Sequence, residues 1–152
     1  MGDTTKQMHG LMMSIVYKNN QNQVIQPTQL AQGTDFKAVV TITNTGRTGM
    51  LKEMVLSELF PGGWEIHNAR MDENETKTEA RYQDIRDDRV YTYYDLAMNT
   101  SKTFTVQLNA TYLGRFYLPA VTSEAMYDHS IHASLPGYWV NVVKEGTQLA
   151  RN

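Results

Sequence analysis

The strongest constraint in this sequence is a period of two. In FTVQLNATY, Phe104, Val106, Leu108, Ala110 and Tyr112 alternate with Thr105, Gln107, Asn109 and Thr111. Successive side chains of an extended chain point to opposite faces, so this pattern predicts a strand with one buried face. FKAVVTIT repeats it, with Phe36, Ala38, Val40 and Ile42 set against Lys37, Thr41 and Thr43. LMMSIVYK groups Leu11, Met13, Ile15 and Tyr17. EMVLSELF, RVYTYYDL, RFYLPA and YWVNVV read as further strands with less regular patterns.

Turn compositions separate these runs: NNQNQ (19–23), NTGRTG (44–49), PGG (61–63), MNTSK (98–102) and LPG (135–137). Helical periodicity is almost missing, and ENETKTEARYQDI is the one candidate segment for a helical turn. Short strands at this spacing predict an all-β fold, an antiparallel Greek-key-like β-sandwich of seven to nine strands. Its single core is expected to hold Phe36, Val40, Ile42, Phe104, Val106, Leu108 and Tyr112. The length of 152 residues suits one domain able to bury a core without staples. Residues 9–143 are assigned to that domain, with tails at 1–8 and 144–152.

Composition removes several chemistries. The chain has no cysteine, which excludes disulfides, thiol nucleophiles, iron–sulfur clusters and the common zinc sites. Fourteen basic against sixteen acidic residues leave a net charge of −2, with no basic field for nucleic acid. The opening MGDTTKQMHGLMMS lacks the charged-then-apolar layout of a signal peptide, and Lys6 breaks the myristoylation pattern. A Met-Gly start on an excised domain would look the same. No apolar run approaches the ~20 residues needed to span a bilayer.

YQDIRDDRVYTYYDL raises the question of an active site, because Asp87 and Asp88 are adjacent. On a strand they would face apart and could share neither a proton nor a metal. Calcium loops need a glycine and alternating oxygen donors, which are missing here. The expectation is that Arg86 and Arg89 neutralise Asp87 and Asp88, at a strand start or at a seam with another domain. His129 and His132 are three apart in an extended segment and point away from each other. His9 and His67 lie in unrelated segments. No GxSxG elbow, SxxK or HExxH motif is present. No catalytic activity, cofactor or metal is expected.

Trp64, Trp139, Tyr91 and Tyr93 raise a rival possibility, a stacking platform for sugar rings on a carbohydrate-binding module. Aromatics also fill sandwich cores and seams.

The C-terminal half is more specific. Phe104–Tyr112 is followed by Arg115–Pro119 (RFYLP), Glu124–Asp128 (EAMYD) and Gly137–Val140 (GYWV). Upstream stand LFPGGWEI (59–66) and DIRDDRV (84–90). In this order, over residues 9–143, these motifs resemble the last macroglobulin-like domain of bacterial alpha-2-macroglobulins, and most of all Bacteroides-type versions. The resemblance implies a terminal sandwich of a large envelope protein, periplasmic and often lipid-anchored, that traps attacking proteases. In such chains this domain packs against other domains of the same parent, a thioester-type domain among them, and helps hold the uncleaved conformation. Without cysteine, this segment cannot carry a Cys–Gln thioester. The resemblance makes Arg86, Asp87, Asp88 and Arg89 a structural or seam motif. Met126 and Tyr127, large apolar residues in a loop, either form a second seam or plug the open end of the sandwich.

Overall fold

The computed structural model describes residues 6–46, 49–71 and 80–146. It is all-β, and among these residues fourteen strands form three sheets. The first sheet has the order β1 (Gln7–His9), β13 (Asp128–Leu135), β12 (Val121–Ala125), β6 (Leu51–Leu59), β9 (Arg89–Leu96), β8 (Ala80–Ile85). The second runs β3 (Val24–Ile25), β2 (Met12–Asn19), β5 (Asp35–Thr43), β10 (Ser101–Ala110), β7 (Trp64–Met71). The third joins β11 (Gly114–Leu118), β14 (Tyr138–Val143) and β4 (Gln29–Ala31). Every pairing is antiparallel except the short parallel contact of β14 with β4.

The sandwich class expected from the period-two runs is the one observed. The strand number is higher than seven to nine because β1, β3 and β4 are only two or three residues long, too short to display a period, and because β7, β8, β12 and β13 lack the sustained apolar alternation of β5 and β10. Residues 73–79 of the candidate helical-turn segment lie outside the described residues, and Ala80–Ile85 is strand. Gln7 and Met8, assigned to the tail, belong to β1.

The alternation in β5 and β10 translates directly into burial. Phe36, Ala38, Val40 and Ile42 are buried, as are Phe104, Val106, Leu108 and Ala110, and the intervening residues are half-buried or exposed. Each large side chain so buried contributes about 1.5–3 kcal/mol of transfer free energy.

The core is divided rather than single. Val40, Ile42 and Phe104 pack with Met54, Leu56 and Tyr94 of the first sheet. Phe36, Val106 and Leu108 pack with Leu118, Val140 and Trp64 at the other end. The reason is length. Nine- and ten-residue strands extend about 30 Å, so one half faces the first sheet and the other half faces the third. Tyr112 is not a core residue. The β10 ladder ends at Ala110, and the Thr111 and Tyr112 amides both donate to the Gly63 carbonyl, at 2.9 and 3.0 Å. That turns the Tyr112 ring outward, 53% exposed, with its hydroxyl 3.4 Å from Glu65 Oε2.

Candidate interdomain surfaces

RDDR forms a hairpin tip. Ile85 pairs with Val90, the Arg86 amide donates to the Arg89 carbonyl at 2.8 Å, and Asp87 and Asp88 occupy the turn. The two carboxylates therefore sit on a turn rather than along a strand, the one geometry in which neighbours can converge. They do not converge. Arg89 grips Asp88 with both arms, Nε to Oδ1 at 2.9 Å and Nη2 to Oδ2 at 3.1 Å. Its Nη1 donates to the Tyr91 hydroxyl at 3.2 Å. This two-pronged contact holds the Asp88 carboxyl below its usual range. Arg86 turns to Asp84 instead, at 3.0 Å. Asp87 makes no hydrogen bond or ion pair among the described residues and projects beside a surface cleft lined by Trp64, Glu65, Ile66, Ile85 and Tyr112. The Phe60 amide donates to the Asp88 carbonyl at 2.8 Å, which ties the tip to the β6–β7 turn.

Met126 and Tyr127 are the turn residues of the β12–β13 hairpin. They are 49% and 60% exposed and stand out from the sandwich rather than filling its end. Their base is fixed by a bulge in β6. Glu53 adopts φ 51°, its carbonyl accepts from the Met126 amide at 3.0 Å, and its amide donates to Asp95 Oδ1 at 2.9 Å. A non-glycine residue in the left-handed region costs energy that the surrounding bonds offset.

The two motifs are not neighbours. Ala125 pairs with Met54 and Arg89 pairs with Leu59, so they occupy opposite ends of β6. Five residues of strand separate those ends, about 17 Å. Met50 and Met98 flank the Leu51–Leu96 pair at the Met126 end, and both are exposed. That end therefore carries three exposed methionines and a tyrosine on turns. Sequence reading missed Met50 and Met98, although Met98 shows the signal that marked Met126, a large apolar residue inside a turn composition, and Met50 directly follows one.

The aromatic platform does not assemble. Trp64 is buried against Phe36 and Tyr17, with ring centroids 4.9 and 6.0 Å away. Tyr93 stacks on Tyr82, and Trp139 lies on the third sheet with Tyr117 beside it and the Arg115 guanidinium over its ring at 4.8 Å. Among the described residues, no three histidine, aspartate or glutamate side chains form a metal cage.

Sequence reading also missed Glu58. It lies in phase with Met54 and Leu56 on the buried face of β6 and is fully buried. Neither carboxyl oxygen meets a hydrogen-bond partner among the described residues. Burial pushes its pKa from the ordinary 4.5 to about 8, so the group is mostly protonated at neutral pH.

Comparison with known proteins matches this architecture. The family profile for the bacterial alpha-2-macroglobulin MG10 domain aligns with residues 12–129. The Pasteurella multocida alpha-2-macroglobulin is 30% identical over 96 residues, covering 62% of this chain and 5% of that protein. The solved native Escherichia coli alpha-2-macroglobulin, from domain MG7 to its C-terminus, superposes with TM-score 0.80 at 14% identity, covering 93% of this chain and 25% of that one. An E. coli alpha-2-macroglobulin activated by porcine elastase superposes with TM-score 0.77 at 15% identity, covering 91% and 13%. At such identities these superpositions show the fold. The chain spans only a small fraction of the relatives it matches. With 118 consecutive positions (129 − 12 + 1) inside one family profile, more than three quarters of its 152 residues, this chain belongs to the bacterial alpha-2-macroglobulin MG10 domain family.

Proposed function

We propose that this domain is a non-catalytic restraint within a larger alpha-2-macroglobulin-type protein that traps attacking proteases. It packs against neighbouring domains of its parent, a thioester-type domain among them, and holds the uncleaved conformation until proteolysis elsewhere releases it. The parent is placed in the bacterial cell envelope, in the periplasm and lipid-anchored. The observation that carries this reading is the apolar end built by Met50, Met98, Met126 and Tyr127. Exposed large apolar residues gathered on the turns of a rigid sheet suit a docking face, and methionine adapts its shape to a partner that must later separate. The RDDR tip supplies a polar second end, whose Asp87 carboxylate is available to a neighbour's cation. The sequence contains no cysteine, so any Cys–Gln thioester of the parent belongs to another domain.

The test uses the full-length parent carrying Met126→Ser with Tyr127→Ser. Native-gel mobility and small-angle scattering report its shape before and after treatment with elastase. The variant is expected to adopt the compact, protease-treated shape partly or wholly without protease. Wild-type behaviour in both assays would overturn the role of this end.

A further inference from the structure

The strands bring together two histidines that lie 123 positions apart in sequence. His9 of β1 is the direct cross-strand partner of His132 of β13, and their ring centroids are 4.5 Å apart with a tilt of 37°. His132 alternates with the buried Ile131 and Ala133, so it faces outward. Its Nδ1 lies 3.0 Å from the His129 carbonyl oxygen. A carbonyl can only accept, so Nδ1 carries the proton and Nε2 of the neutral ring keeps a lone pair. A backbone carbonyl that fixes the tautomer in this way is the usual support for a metal-binding imidazole. Nε2 in turn sits 3.2 Å from Gln7 Oε1. Two electron-rich atoms at that separation need a proton, a rotated amide or a cation between them.

We propose that His9 and His132 form a transition-metal clamp, with Gln7 as an auxiliary donor, that fastens the edge strand β1 to β13. Imidazole nitrogen suits the late first-row divalent ions, whose affinity for such ligands rises through Ni(II) to a peak at Cu(II). His9 is exposed, so its ring can turn to present a nitrogen without disturbing the core. On the other flank of His132 is its cross-strand partner Glu124, whose carboxylate is 3.2 Å from His129 Nδ1. That negative charge favours a bound cation. With two imidazoles and one amide oxygen, water completes the coordination.

The test is calorimetric titration of the 152-residue chain with Cu(II) and, separately, Ni(II) at pH 7.5. Electron paramagnetic resonance counts the nitrogen ligands of the copper form. One equivalent with two imidazole nitrogens is expected. His9→Ala and His132→Ala should each weaken binding at least tenfold, while His67→Ala leaves it unchanged. Circular dichroism checks that the variants keep the fold, and His9→Gln provides a second, milder substitution at the exposed ring. Absence of binding by the wild type, or binding that survives both His9 variants, would overturn the clamp. The assay does not depend on the parent protein, so its outcome is separate from that of the protease-trapping reading.

Discussion

Glu58 places a carboxyl group in hydrocarbon with no protein partner among the described residues. The cheapest state of such a group is the protonated one. Its folded pKa of about 8 lies above the ordinary 4.5. Between these values the folded state binds more protons than the unfolded state, so stability falls as pH rises. The contribution is fully present below about pH 4.5 and lost by about pH 8. Urea denaturation across pH 5–9 is therefore expected to show a decline that Glu58→Gln flattens. Glu58→Met, of similar volume and without the buried charge, should be more stable than wild type at pH 8.5 by about 1–3 kcal/mol. A wild-type profile flat over that range would show that the carboxyl finds solvent.

At the scale of elements, the turns decide how strands meet, and glycine decides where backbones can touch. Gly137, in the turn between β13 and β14, has no room for a side chain. A Cβ there would land on the Leu118 carbonyl oxygen and 2.7 Å from the Tyr117 hydroxyl. Because the obstacle is backbone, the end of β11 would have to shift. Gly137→Ala is expected to cost about 1–3 kcal/mol, a typical overpacking penalty, read as a lowered melting temperature. At Gly62 the same test gives only ordinary contact, 3.8 Å from Phe116, so Gly62→Ala should stay within about 0.5 kcal/mol.

The contrast also shows what was legible in the sequence. LPG and PGG both read as turns, but the close approach of β11 to Gly137 depends on a strand distant in the chain. β5 and β10 were legible because each keeps one face apolar over its whole length, whereas β7 and β8 show no such alternation. The short strands β1, β3 and β4 were not, since their pairing is set by neighbours rather than by their own pattern. Tyr112 continued the β10 period but left the sheet, because Gly63 captured its amide. Of the charge balance expected at the adjacent aspartates, the structure shows only the Arg89–Asp88 pair, and Asp87 is left without an ion pair among the described residues. That the two aspartates sit on a turn, and that Arg86 serves Asp84, depended on the hairpin register. The His9–His132 pair was beyond any local pattern, being made by the register of β1 on β13.

As a whole molecule, this chain presents two candidate contact ends held about 17 Å apart by one strand, β6. Asp87 marks one end and Tyr127 the other. Both side chains are exposed, and neither makes a hydrogen bond or ion pair among the described residues. Removing them should therefore be nearly silent in the isolated domain. Asp87→Ala and Tyr127→Ala are each expected to change its unfolding free energy by less than about 0.5 kcal/mol. On the proposed docking, the same substitutions in the full-length parent remove contacts with other domains, so each should lower the midpoint for thermal loss of the uncleaved form. Since the ends share no partner among the described residues and lie beyond the ~7–10 Å over which substitutions couple, the double variant should show the sum of the single effects. Melting curves of four proteins, in isolated and full-length form, decide the matter. Losses already present in the isolated domain would reassign these residues to holding the sandwich itself. Strong non-additivity in the parent would mean that one neighbouring domain wraps both ends.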